Sequence, residues 1–265
     1  MEKLVCFTLD LEKDYGWLDT FTAAENIDPL LNLFKKYNIK LSVFLSGHLI
    51  DEYPEVISKL QKFGCDFGVH SYYHISGKKN SLAETREEVQ KSQQAFINYF
   101  NSPPEHYRFP QGYFTDQDLD VLKEFGFKNN FSLFPFYRPG VFNNASSPMV
   151  PFKQTNGILE FPFAVTPKLR FPISQSYIQF LGWHVYKIIL KLLGLPHVLI
   201  FDFHLHNLSK IAGKQKLPLL QRIFYIRNQG KGLKILEKFI KYILAQGYKS
   251  AAISELANDY QTKLR

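Results

Sequence analysis

Cysteine is scarce: Cys6 and Cys65 are the only two among 265 residues, and both sit in apolar surroundings beside strand-like segments. No disulfide framework can brace such a chain, and it suits a reducing compartment. Long apolar runs are missing too, so nothing in the sequence reads as a bilayer-spanning segment. Glu2 and Lys3 lead at once into the strand-like Leu4–Leu9, without the charged, apolar and small-residue succession of a signal peptide. The expectation is a cytosolic protein, or one peripheral on the inner face of a membrane. There is no Gly/Ser-rich linker, low-complexity tract or internal repeat, which leads to one domain over 1–265. Phosphate-cradling glycine loops and the Gly-x-Ser-x-Gly elbow are also absent, which argues against nucleotide enzymes and serine hydrolases of that build.

What is abundant is aromatic. Phe (25) and Tyr (15) are unusually frequent, and rings of this kind fill cores and line sugar clefts alike. The formal charge is +8, unevenly spread: residues 133–265 hold 18 Lys/Arg against 5 Asp/Glu, and the first half is net acidic. An anionic partner near the second half or plain solvated lysines would both give this pattern. No recognised nucleic-acid motif accompanies the charge, so no nucleic-acid partner is expected.

The first half alternates strands and helices. Val5–Leu9 reads as a buried strand ending in carboxylates, Ile27–Tyr37 as a helix, Leu41–Leu45 as a strand broken by Gly47, and Pro54–Phe63 as a helix closed by Gly64. Asp66–Val69 is a third strand. Ser81–Phe100 is a charged helix with Ser81 and Glu84 as a capping box. Tyr107–Phe109 is a fourth strand, followed by a helix over Asp116–Phe125. Pro135–Pro172, rich in Pro, Phe and Asn, reads as irregular. Helices at 177–193 and 232–246 flank an apolar strand at 198–203. This repetition calls for parallel strands wound by helices, with chemistry gathered at the strands' carboxyl ends.

Four polar groups stand at such ends: Asp10 with Glu12 and Asp14, His70 with His74, Arg108, and His204 with His206. Each is weak alone, because strand-end acids often cap helices and a lone arginine usually makes a salt bridge. Together they make an inventory for amide hydrolysis. Two imidazoles and one acid can share a cation with coordination positions left open. A second carboxylate can accept a proton from water, and a separate histidine can donate one to a leaving amine.

On these residues the sequence resembles the polysaccharide deacetylase family, whose members share the NodB homology domain. Phe7-Thr-Leu-Asp10-Leu-Glu12 is similar to its first motif, in the branch that reads Asp-x-Glu there. Gly64-Cys-Asp-Phe-Gly-Val-His70-Ser-Tyr-Tyr-His74 matches its His-Ser/Thr-x-x-His motif and approach strand. Arg108-Phe-Pro-Gln-Gly112 is similar to its Arg-Pro-Pro-x-Gly motif, and Phe201-Asp-Phe-His204 to its last histidine motif. The resemblance implies an α/β fold, a distorted parallel (β/α) barrel of seven strands, with 135–197 as an irregular and helical insertion covering it. It implies a hydrolase that removes an N-acyl group, acetyl above all, from an amino sugar in a polysaccharide, oligosaccharide or lipid-linked saccharide.

Residue by residue, the resemblance makes Asp10 the general base, His70 and His74 ligands of a divalent metal (zinc, with cobalt and nickel as options), and Glu12 the acidic ligand with Asp14 as rival. Arg108 would hold the base. Gln111, Gly112 and Tyr113 would meet substrate, a backbone N–H near Gln111 binding the oxyanion. His204 would be the general acid, with His206 as rival.

Two departures stand out. Asn130 occupies the place of an acid that orients the last histidine, with Asp202 as a substitute, and Phe109 stands where proline is usual. Asn130 keeps open a second reading, a catalytically impaired saccharide-binding or regulatory module. The segment Phe180–Leu195 carries Trp183, Tyr186, lysines and a wide apolar face. It reads either as a helix buried against the barrel or as one lying on an anionic membrane surface and presenting a lipid-linked saccharide.

Overall fold

Eight residues of alternating pattern near the start, LVCFTLDL, make the longest strand. In this computed structural model, residues 2–16, 18–74, 81–139, 141–217 and 219–263 are described. The strands are β1 (Leu4–Leu11), β2 (Leu41–Leu45), β3 (Asp66–Val69), β4 (His106–Tyr107), β5 (Asn129–Asn130), β6 (Tyr137–Arg138), β7 (Phe142–Asn143), β8 (Phe152–Lys153), β9 (Leu159–Glu160), β10 (Val198–His204) and β11 (Lys249–Ser250). The helices are α1 (Ile27–Lys36), α2 (Gly47–Glu52), α3 (Pro54–Phe63), α4 (Leu82–Phe100), α5 (Asp116–Glu124), α6 (Gln175–Leu181), α7 (Trp183–Leu193), α8 (Leu219–Ile226), α9 (Gly232–Ala245) and α10 (Ile253–Lys263). The chain divides into two compact units, one of residues 1–41 and 164–251, the other of 42–163 and 252–265.

In the first unit β1 runs parallel to β10, from Leu4 opposite Val198 to Asp10 opposite His204, and parallel to β11 at Leu4 and Val5. Strand alternation sends Phe7 and its neighbours Phe201 and Phe203 to one side. There Phe7 meets Phe34 of α1 and Phe201, both at 5.5 Å, and Phe201 stacks on Phe239 of α9 at 4.3 Å. The opposite face therefore carries Thr8 and Asp10 beside Asp202 and His204.

In the second unit β2, β3, β4, β5 and β9 pair in that order, all parallel, and β8 closes the edge antiparallel to β9. Phe131 stacks on Phe161 at 4.6 Å and packs against Phe44 at 5.4 Å, so the aromatic surplus builds this core. β6 and β7 form a separate hairpin.

The parallel α/β reading holds, and so does the Ser81–Glu84 capping box, which is present on both sides. Three local readings are corrected. The fourth strand is His106–Tyr107 rather than 107–109, because Phe109 N–H turns to the Ser132 hydroxyl at 2.7 Å instead of continuing the ladder. The helix expected over 177–193 is two, broken at Gly182, whose φ of +83° a helix does not accommodate. The stretch 135–172 is not wholly irregular: it contributes β9, a parallel strand of the second unit's sheet. Among the described residues, no helix is long and apolar enough to cross a membrane.

Candidate active site

Parallel register fixes the first unit's share of the site. Asp10 and His204 are opposite one another at the carboxyl ends of β1 and β10, and both point away from the Phe7–Phe201 side. His204 Nε2 lies 3.5 Å from Glu12 Oε1 and 3.8 Å from Asp10 Oδ2. Asp10 and Glu12 are buried, while His204 keeps partial exposure. The partly exposed imidazole thus stands beside two buried carboxylates.

His206 is built differently. Its Nδ1 accepts from Tyr15 N–H at 3.2 Å, its ring lies 4.8 Å from Tyr15 and 5.5 Å from Tyr225, and the side chain is buried. Gln229 Nε2 donates to Tyr15 Oη at 2.7 Å and to the His206 carbonyl at 3.1 Å, tying the corner together.

Asp14 has a structural task. Its Oδ1 accepts from Ala23 N–H at 2.9 Å, and its Oδ2 accepts from Thr22 N–H and the hydroxyls of Thr20 and Thr22 at 2.7–2.8 Å. Four hydrogen bonds saturate a carboxylate. Asp202 is buried on the His204 face, near enough to Tyr186 for its charge to help raise that phenol, although burial is the larger cause.

The second unit brings His70, His74 and Arg108 together. β3 ends at Val69 and delivers His70, whose Nδ1 faces the Arg108 carbonyl at 2.9 Å. A carbonyl only accepts, so Nδ1 carries the proton and Nε2 becomes the electron-pair donor of the ring, the tautomer a metal ligand requires. The His74 ring lies 4.9 Å from that of His70. Ser71 and His74 both adopt left-handed backbone, φ +62° and +58°. Such conformations persist only where neighbours enforce them.

The enforcer is Glu88 of α4, which the sequence reading passed over. Its Oε2 accepts from Ser71 Oγ at 2.5 Å and from the N–H groups of Tyr72 and Tyr73 at 3.0 and 2.9 Å. From the other side α2 holds the same turn, Gly47 N–H donating to Ser71 O and His48 N–H to Tyr72 O. A Cβ at Gly47 would stand 2.5 Å from the Tyr72 ring and 3.1 Å from Ser92 Cα, so glycine is what lets α2 come this close.

Arg108 is fully buried. Its Nε donates to Phe131 O at 2.9 Å, and its guanidinium lies 4.0 Å over the Phe44 ring and 4.5 Å over that of Phe163. Gln111, at φ +59°, turns the chain after Pro110. Gly112 follows at φ +69°, where a Cβ would meet the Phe134 ring at 2.4 Å. Tyr113 Oη donates to Val141 O at 3.0 Å.

Asn130 faces neither solvent nor a histidine of its own unit. Its Nδ2 donates to Glu160 Oε2 and its Oδ1 accepts from Ser132 Oγ, both at 2.5 Å. Glu160, also unanticipated, accepts further from Ser132 and Leu133 N–H at 3.2 and 3.0 Å. Burial pushes this carboxyl up to about 7, against the pull of those donors.

The parallel α/β fold is shared with known proteins. Over 96–99% of the chain, the structure superposes on a Mycobacterium smegmatis protein assigned as a polysaccharide deacetylase (TM-score 0.66, 16% identity, 92% of that chain). It superposes likewise on a CE4-family pseudoenzyme from Bacillus anthracis (TM-score 0.60, 17% identity, 65% of that chain). Residues 2–130 match the polysaccharide deacetylase family model. A peptidoglycan deacetylase of Helicobacter pylori is 25% identical over 146 residues, half of each chain. The chain spans about half the length, or less, of the first curated relatives it matches.

Proposed function

We propose that this protein is a metal-dependent hydrolase that removes an N-acyl group, acetyl above all, from an amino sugar. The observation that carries it is the meeting of Asp10, Glu12 and His204 at the ends of two adjacent parallel strands, with His204 Nε2 within 3.8 Å of both acids. In this reading a divalent metal would be held by Glu12, His70 and His74. The Nδ1-protonated state of His70 fits it for that role, and the four hydrogen bonds on Asp14 favour Glu12 over it as the acid. A divalent cation there, zinc by preference, would supply Lewis acidity toward water and the acyl oxygen.

The chain's own residues do the rest. Asp10 takes the proton of the attacking water. Backbone N–H at the Gln111 turn, where Gln111 is left-handed, stabilises the oxyanion. Arg108, wedged between two rings, is too constrained to wander and holds the base. His204 delivers a proton to the departing amine, while His206, locked to Tyr15, sets the corner.

The test is release of acetate from short N-acetylglucosamine oligomers, with zinc, cobalt or nickel restored, by the parent and the His70→Ala and Asp10→Asn variants. Metal-dependent release lost in both variants supports the reading. Stoichiometric metal with no release from N-acetylated, N-formylated or lipid-linked saccharides would favour a saccharide-binding module instead. No bound metal in the parent would overturn the metal assignment.

A further inference from the structure

Helix α7 is apolar on the wrong side. Its inward stripe is Tyr186 and Leu190, both buried. Yet Val185, Ile188 and Leu192, spaced along the opposite face, are 52%, 57% and 67% exposed. An ordinary surface helix places polar residues there, and single exposed apolar side chains are common but a continuous stripe is not.

The stripe continues beyond the helix. Lys168 N–H donates to Leu193 O at 3.4 Å, which sets the 167–170 turn against the end of α7. At the tip of that turn Leu169 is 85% exposed. Leu169 and Arg170 are both left-handed, φ +61° and +48°, a conformation bulky residues avoid. Thr166 imposes it: Thr166 N–H bonds Phe171 O, Phe171 N–H bonds Thr166 Oγ1, and Thr166 Oγ1 donates to Lys168 O. A leucine held out into water in a disfavoured conformation opposes both local preference and solvation, and it calls for a partner.

Charge identifies that partner. From residue 161 to 236 the sequence holds eleven Lys/Arg and one acid, Asp202, which is buried. Lys168 and Arg170 flank Leu169, and Lys191 borders the α7 stripe, while Lys187 lies over the Tyr242 ring at 5.8 Å. At 11 residues α7 is far too short to cross a bilayer. Apolar side chains rimmed by lysines on a short helix are the build of a segment that lies in the headgroup layer.

We propose that α7 and the 167–170 turn dock this protein on a lipid surface carrying anionic headgroups. Leu169, Val185, Ile188 and Leu192 enter the acyl boundary, and the flanking lysines meet the headgroups.

Co-sedimentation of the full chain with phosphatidylcholine vesicles, with and without about 30% phosphatidylglycerol, tests this without reference to catalysis, so its failure leaves the hydrolase reading standing. The parent should bind the anionic vesicles and release as salt rises to about 0.5 M, where the Debye length falls to roughly 4 Å. The combined Val185→Ser, Ile188→Ser, Leu192→Ser variant should keep the parent's circular dichroism and thermal midpoint and bind at least about tenfold more weakly. Lys168→Gln with Lys191→Gln should erase most of the preference for anionic vesicles. If the parent ignores anionic vesicles, or the triple variant, still folded, binds them equally well, the proposal falls. A dimer in velocity sedimentation that the triple variant abolishes, with no vesicle binding by the parent, would also overturn it.

Discussion

Glu160 makes the fold's stability depend on pH in a direction opposite to that of most carboxylates. Its ordinary value is 4.5 and its folded value about 7, raised by complete burial and only partly drawn back by Leu133, Asn130 and Ser132. Between those values the folded chain holds a proton here that the unfolded chain has lost. Stability from this group is therefore complete below about pH 4.5 and is lost as the pH rises through about 7. At about 1.4 kcal/mol per pH unit, the gap is worth about 3 kcal/mol.

Glu160→Gln removes the titration while keeping an oxygen for the Ser132 and Leu133 N–H groups. Its amide then faces that of Asn130, which costs about 1 kcal/mol at every pH. Urea denaturation of parent and variant at pH 5 and pH 8 isolates the effect, because every other titrating group is common to both. The parent should lose about 2.5 kcal/mol more than the variant over that interval. Parallel pH dependence, within about 0.5 kcal/mol, would show that Glu160 is ionised throughout and that its donors outweigh burial.

Other outcomes follow from the same network. Glu88→Ala removes three hydrogen bonds from the 71–73 turn and should cost about 2–4 kcal/mol in chemical denaturation. On the proposed reading it should also weaken binding of an added divalent metal by about 10-fold or more in calorimetry, as lost support around a ligand does. Gly47→Ala forces the Tyr72 ring or the α4 backbone aside and should cost about 1–3 kcal/mol, read as a lowered thermal midpoint.

Legibility in the sequence followed locality. Asp10, Glu12, His70 and His204 announce themselves because each stands at or just past the end of an apolar run, so pattern alone gives each an address at a strand's end. Rivalries at those addresses needed coordinates: nothing near Asp14 in the sequence says that Thr20, Thr22 and Ala23 fold back onto it. Glu88 was invisible because it sits in the run Arg86-Glu87-Glu88, where an acid reads as solvated. Glu160 belongs to a two-residue strand within a Pro- and Phe-rich stretch, too short for any period to show. The break at Gly182 was masked by apolar residues on both sides, which kept helical spacing across it.

The pairing of β1 with β10 also sets a timetable for synthesis. Thr8 donates its hydroxyl to Phe201 O, 193 residues later, and β11 arrives later still. At roughly 5–20 residues per second, the ribosome makes β1 about 10–40 s before β10 exists. Throughout that interval Phe7 lacks the rings of Phe201 and Phe239, and the Asp10 end of the strand lacks His204. A fragment cut to residues 2–130 would be stranded permanently in that condition. Asp10 and His204 come opposite one another only when the last third of the polypeptide folds back to the first.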